Sequence, residues 1–237
     1  MKKKVLVLGA SGLIAPNITA YLDPHYDLTL VDIKPHPHGR PIGHVDVTSY
    51  GQVFEAMRGM DAIMNYTVNR PDPVLSFKVN SLGAWHVMKA AAAHGIKKVL
   101  HSGPQSVRAG YDADFDIDDP PPIVGSGYYG ITKLIGREIC QVYARTYQIQ
   151  TISFVFNGLG PNPTQAVAGD FPAFTVTWED LAHACRLALD IESVPGYFQE
   201  FNLHSYLGHG KFLLDKARRL LGFAPQRDWA SFHRRQV

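Results

Sequence analysis

The stretch that decides the fold is VLVLGASGLIAPNITAYL, Val5 to Leu22. Val5 to Leu8 is a continuous apolar run too short for a helix, and it ends on Gly9, so it reads as a buried parallel strand. From Ala15 to Leu22 the apolar residues return at helical spacing. Between them Gly9, Gly12 and Ala15 form G-x-x-G-x-x-A at the turn from strand to helix. The two glycines let the backbone turn tightly and approach a pyrophosphate, whose charge then meets the helix N-terminus. The small third residue lets helix and strand pack closely. Ser11, Leu13 and Ile14 lie inside the same turn and are candidate cofactor contacts.

Working outward, the same alternation continues. DLTLVD (Asp27 to Asp32), AIMNYTV (Ala62 to Val68), KKVLHSG (Lys97 to Gly103) and TISFVF (Thr151 to Phe156) read as strands. Tyr50 to Met57, Phe77 to His94 (stopped at Gly95) and Tyr129 to Tyr147 read as helices. The expected fold is α/β, a Rossmann-type doubly wound parallel sheet with a small C-terminal substrate-binding region. It is read as one domain over residues 1–237, mainly dinucleotide-binding over 1–157, with 158–237 the smaller part. Tyr111 to Pro122 and NGLGPNPTQAVAGDFP (Asn157 to Pro172) are expected loops. TWEDLAHACRLALD is a helix after a short extended segment, a strand lies near Phe198 to Leu203, and Lys211 to Leu221 is the terminal helix.

Asp32 ends the second strand 23 positions after Gly9, placed to accept hydrogen bonds from an adenosine ribose. Its charge would repel a 2′-phosphate, so NAD is expected over NADP, with Lys34 and Arg40 nearby as partial offsets. Asp46 and Val47 follow the next turn and border the adenine, or serve as a solvated loop residue and a core valine.

Composition excludes other classes. With 46% hydrophobic and 19% charged residues the chain has enough apolar surface for a packed core, and 23 basic against 21 acidic residues leave a net charge of +2. That balance points away from nucleic acid and anionic membranes and leaves a small polar ligand open. Cys140 and Cys185 lie 45 residues apart with no zinc-ligand spacing, which fits a reducing cytoplasm, and no metal is expected. His36, His38 and His44 in KPHPHGRPIGH read as a solvated loop. The apolar run after Lys2 to Lys4 is too short for a signal or a membrane span.

Tyr129 and Lys133 are four apart on an expected helix, so they share a face. A phenol becomes a base near neutrality when a neighbouring cation stabilises its anion. Taken together, GASGLIA, Asp32, Asp46, FKVNSLGAWHVMKAA, VLHSG, YYGITK, FNGLGPNP, TWEDLAHAC and LLGFAP make the chain resemble the short-chain dehydrogenase/reductase superfamily, in its extended branch of NAD-dependent epimerases, dehydratases and sugar dehydrogenases. In layout it resembles uronate dehydrogenases, which oxidise the anomeric carbon of a hexuronic acid to a lactone.

The resemblance implies that Tyr129 is the general acid/base, that Lys133 holds the nicotinamide ribose and favours the tyrosinate, that Asn80 belongs beside the site, and that Asn157 faces substrate. Where the family carries a Ser or Thr upstream of the tyrosine, this chain has Gly103 and Pro104. Ser102 is therefore assigned to the reacting oxygen, with Gln105 or Ser106 as substitutes. The loop after the sixth strand lacks the arginine that many relatives carry. Arg70, in VNRPDP after a strand, is a candidate clamp for an anionic substrate group, or a surface arginine.

The expected activity is hydride transfer to NAD from a hydroxyl-bearing carbon of a small sugar or sugar acid, in a homodimer built by pairing the Phe77 and Tyr129 helices across a two-fold axis. A sugar epimerase or dehydratase using bound NAD transiently, and a dinucleotide sensor without catalysis, share the same residues. Because 104 residues follow Lys133, the pocket is expected to suit a monosaccharide rather than a nucleotide sugar.

Overall fold

The computed structural model describes residues 1–103, 125–156, 158–165, 175–206, 213–227, 229 and 232. The first half alternates β1 (Lys4–Leu8), α1 (Ala15–Leu22), β2 (Asp27–Asp32), β3 (Gly43–His44), α2 (Tyr50–Ala56) and β4 (Ala62–Asn65). A composite helix follows: α3 (Pro73–Ser76), a π-helical turn (Phe77–Leu82) and α4 (Gly83–Ala93). Then come β5 (Lys98–Ser102), α5 (Tyr128–Tyr147), β6 (Gln150–Val155), β7 (Gly158–Gly160), β8 (Thr175–Thr177), α6 (Trp178–Asp190), β9 (Phe198–Asn202) and α7 (Asp215–Leu221).

Seven strands form one sheet in the order β3-β2-β1-β4-β5-β6-β9, every pairing parallel. Alternate side chains of β1 serve opposite layers. Val5 and Val7 pack with Ile18, Leu22 and Leu189 from α1 and α6, while Leu6 and Leu8 pack with Val53, Val87 and Ala144 from α2, α4 and α5. This is the doubly wound architecture the sequence predicts. It brings the carboxyl ends of the strands, marked by Leu8, Asp32, Asn65 and Ser102, to one edge of the sheet. No helix among the described residues is long and apolar enough to cross a membrane.

Several local expectations are corrected. The fourth strand stops at Asn65, because its side-chain oxygen accepts from Thr67 N at 3.2 Å and Thr67 Oγ1 at 2.7 Å and turns the chain out of the sheet. The helix expected from Phe77 begins at Pro73, where Asp72 caps Leu75 N at 2.7 Å and proline occupies the first turn. Gly158–Gly160 lies in the stretch expected to be loop but pairs in parallel with Thr175–Thr177; a pairing made by main chain alone leaves no apolar alternation to read. His36 is buried rather than solvated, its Nδ1 accepting from His38 N at 3.2 Å. The terminal helix is described from Asp215; Lys211 and Phe212 lie outside the described residues.

Candidate active site

Gly9 leaves β1 with φ +81°, and a Cβ there would sit 2.8 Å from Thr67 N and the Tyr66 carbonyl carbon, so only glycine lets this turn pass under the end of β4. Gly12 N closes the turn onto Gly9 O at 3.1 Å. No side chain caps α1; Pro16 in its first turn has no N–H and Asn17 N donates to Ile14 O at 3.0 Å, so the helix start offers a ligand few amides beyond Ala15 N. The Asp32 carboxylate ties the surrounding loops together, accepting from Ser11 N at 2.9 Å and Lys34 N at 3.0 Å, while Ser11 Oγ donates to Lys34 O at 2.7 Å. A cavity of about 210 Å³ opens here, lined by Gly9, Ser11, Gly12, Asp32, Lys34, Asp46, Val47 and Tyr66 among others.

Asp46 Oδ1 accepts from Thr48 N at 2.8 Å, and Val47 O meets His86 Nδ1 at 2.9 Å, so both residues form a fixed wall. Arg40, expected to soften the charge of Asp32, grips Asp23 through two hydrogen bonds of 3.0 Å instead.

A second cavity, about 380 Å³, adjoins the first through shared Lys34, Tyr66, Val68 and Asn69. Leu13 and Ile14 form part of its wall, and Arg70, Ser102, Gly103, Tyr129 and Lys133 converge on it. Helix α5 starts at Tyr128, which puts Tyr129 in its first turn and Lys133 one turn further on. Lys133 is 2% exposed, and its Nζ donates to Ser102 Oγ at 3.0 Å. Burial pushes the ammonium down to about 8; Cys140 opposes that shift, and the nearby Arg70 charge adds to it. His101, the neighbour of Ser102 in β5, is 2% exposed, and burial with the Lys133 charge beside it holds its imidazole well below the ordinary range. It is therefore neutral at pH 7.

Asn80 is placed differently from Tyr129 and Ser102. It lines neither cavity. Its amide accepts from Asn69 N and donates to Asn69 O, both at 2.9 Å, and donates to Thr132 Oγ1 at 3.0 Å. The π-helical turn presents Asn80 and Ser81 together to α5, Ser81 Oγ donating to Thr132 O at 3.0 Å. Asn80 thus ties the loop before Arg70 to the N-terminal part of α5. Gln105 and Asn157 lie outside the described residues, as do Pro104 and Ser106.

Two features escape sequence reasoning. Tyr66 walls both cavities, its hydroxyl bound to Cys185 Sγ at 2.9 Å; its place just past a strand's carboxyl end was the available signal. The surroundings of position 103, where a hydroxyl is missing, are crowded: a Cβ on Gly103 would lie 2.6 Å from Ser153 Oγ, 3.1 Å from Phe154 O and 3.2 Å from Glu200 Oε2, so a side chain there requires its neighbours to shift. Ser153 Oγ donates to that carboxylate at 3.1 Å, and Arg137 Nε lies 3.5 Å from it. Burial pushes the Glu200 carboxyl up, against the pull of Arg137 and Ser153. Among the described residues no three His, Cys, Asp or Glu side chains are grouped to hold a metal ion.

Comparison with known proteins gives the family and the fold. The model of the NAD dependent epimerase/dehydratase family matches residues 5–189. A uronate dehydrogenase from Pseudomonas putida is 28% identical over 170 residues, 68% of this chain and 62% of that protein, so the chain spans less than two thirds of the relative's length. A mutant uronate dehydrogenase from Agrobacterium tumefaciens, complexed with NAD, superposes with a TM-score of 0.82 at 18% identity, over 98% of this chain and 88% of that one. UDP-galactose 4-epimerase gives 0.71 at 17% identity, over 94% of each chain. These structures share the fold.

Proposed function

The chain belongs to the NAD-dependent epimerase/dehydratase family, and on that premise we propose that it is a dehydrogenase oxidising a hydroxyl-bearing carbon of a small sugar acid, with Tyr129 as the acid/base. The observation that carries this reading is the Lys133 Nζ to Ser102 Oγ bond at the floor of a cavity that also holds Tyr129 and adjoins the Gly9 and Asp32 turn. The 28%-identical uronate dehydrogenase supports the substrate class, and a cavity of about 380 Å³ sits at the small end of the roughly 300–1,000 Å³ usual for ligand sites.

The residues present fit NAD, because the close backbone approach at Gly9 suits a pyrophosphate, and Asp32 suits an unphosphorylated ribose. When bound, NAD supplies the hydride acceptor. Tyr129 takes the proton from the substrate hydroxyl. Ser102 Oγ accepts from Lys133, so its own O–H remains free to donate to the reacting oxygen. Lys133 has two further N–H donors for ribose hydroxyls, and its charge favours the tyrosinate. Asp46 and Val47 bound the cofactor cavity, and Leu13 and Ile14 line the larger cavity that adjoins it. The smaller part of the chain, 158–237, contributes Leu159 to the substrate side.

The test is NADH absorbance with galacturonate or glucuronate. Net NADH accumulates from a sugar acid, with NAD bound more tightly than NADP and the gap narrowed by Asp32→Ala. No net NADH with rapid sugar isomerisation would favour an epimerase, tight NAD binding with no turnover a dinucleotide sensor, and a preference for NADP would remove Asp32 from its role.

The protein is also proposed to be a homodimer. Leu82 (41% exposed), Ile135 (37%) and Val142 (60%) lie open along the π-helical turn and α5, and an apolar groove of about 360 Å³ runs among Trp85, Ile135, Ile139 and Val142. A second copy would cover this face. Light scattering at micromolar concentration is expected to give twice the 26.2 kDa of the chain; a monomer mass rules the pairing out.

A further inference from the structure

The larger cavity is electrostatically one-sided. Among the described residues its charged lining side chains are Lys34, Arg70 and Lys133, with no Asp or Glu. Lys34 also lines the adjoining cofactor cavity, and Lys133 is hydrogen-bonded to Ser102. None of the three has a carboxylate partner among the described residues; Arg70 differs from Lys133 in being exposed to the cleft and from Lys34 in lining the larger cavity alone.

The chain holds Arg70 in place from its backbone. Both peptide groups of Asn69 are clamped by the Asn80 amide, Ser76 Oγ donates to Asn69 O at 3.0 Å, Asp72 N donates to Asn69 Oδ1 at 3.2 Å, and Tyr128 Oη donates to Arg70 O at 2.8 Å. The guanidinium then lies over the Tyr129 ring, its central carbon 5.1 Å from the ring centroid. A guanidinium held to an aromatic ring by its charge does not spend its N–H donors on hydrogen bonds to that ring, and its planar fork stays available to a second partner. A carboxylate is the planar anion that matches that fork in two parallel hydrogen bonds.

We propose that Arg70 determines specificity by binding the substrate's carboxylate in a bidentate pair, holding the acid end of a sugar acid beside Tyr129. This rests on the dehydrogenase reading for the identity of the reaction, while the anion preference itself follows from the cavity's charges. The residue that anchors the substrate touches the ring of the proposed base, so binding the acid group and orienting the reacting hydroxyl become one event.

The experiment compares galacturonate with galactose, which differ by the carboxylate, in wild type, Arg70→Gln and Arg70→Lys, all with saturating NAD. Arg70 is exposed, so both variants are expected to fold. In wild type, kcat/KM favours the acid. In Arg70→Gln that preference falls roughly 10- to 100-fold, through KM for the acid, as expected for losing hydrogen bonds between charged groups. Arg70→Lys restores part of it, and NAD titration of the variant matches wild type. An unchanged acid preference, an equal loss on both sugars, or weakened NAD binding would each overturn the assignment, the last by making Arg70 a phosphate contact. If wild type oxidises neither sugar, the dehydrogenase reading fails, and thermal unfolding with NAD decides Arg70 separately. Protection by galacturonate that Arg70→Gln abolishes keeps the carboxylate site; equal protection in the two proteins, or none, removes it.

Discussion

Tyr129→Phe is expected to lower turnover by at least ~10²-fold, the usual loss when a general acid/base is removed, while leaving NAD affinity close to wild type. The substitution deletes one oxygen and keeps the ring. The ring is what the Arg70 guanidinium lies over, and the helix contact next to it, Thr132 Oγ1 donating to Tyr129 O at 3.0 Å, uses main chain. Lys133 holds Ser102 without help from the phenol. Everything that shapes the cavity therefore survives, and a kinetic defect can be assigned to the missing proton carrier. Steady-state turnover with galacturonate and a separate NAD titration check this. A parallel loss of NAD affinity would make Tyr129 a structural residue, and a loss under tenfold would move the proton transfer elsewhere.

How far the site can be read from sequence depends on how local its causes are. Gly9, Gly12 and Asp32 were legible because a strand, a turn and a helix start lie within a few residues and each imposes a residue type on its own position. Tyr129 and Lys133 were legible because one helical turn joins them. The absent hydroxyl at Gly103 was visible as a departure but had no explanation in sequence. The side chains that crowd it are Ser153 on β6 and Glu200 on β9, strands that become neighbours only when the sheet forms.

Asn80 shows the same limit from another side. The family resemblance put it beside the site, and a π-helical turn, which no apolar period announces, directs its amide at Asn69 and Thr132. Arg40 looked available to the cofactor from its distance along the chain, until Asp23, at the end of α1, was found to bind it. In each case the backbone path was right and the partner was remote. The sequence order of strands and helices, by contrast, leaves few ways to build a parallel sheet, which is why the architecture followed while individual polar contacts did not.

Lys133→Met is expected to abolish useful turnover and yet make the protein without cofactor more stable at neutral pH. Lys133 is among the largest fully buried side chains, and its ammonium has one hydrogen-bond partner among the described residues, Ser102 Oγ. Moving its pKa from 10.5 to about 8 corresponds to about 3 kcal/mol of disfavoured charge, taking roughly 1.4 kcal/mol per unit. Methionine fills nearly the same unbranched volume without charge. Leaving Ser102 without its donor returns about 1 kcal/mol of that, for a net gain of about 2 kcal/mol, or roughly 4–8 °C in a chain of this size.

The pH dependence follows from the sign of the shift. Below about pH 8 the lysine is protonated in both the folded and the unfolded chain, so wild type carries the whole penalty. Between about 8 and 10.5 the unfolded chain binds more protons than the folded one, so wild-type stability rises with pH and the advantage of methionine shrinks. Thermal unfolding of the two proteins across that range checks both the size and the slope. NAD should reverse the order, because a bound ribose gives the ammonium partners that methionine cannot use, and wild type then gains more from the ligand. A variant less stable than wild type at pH 7 without cofactor would mean that the buried ammonium is already fully compensated, and the folding penalty assigned to this residue would be wrong.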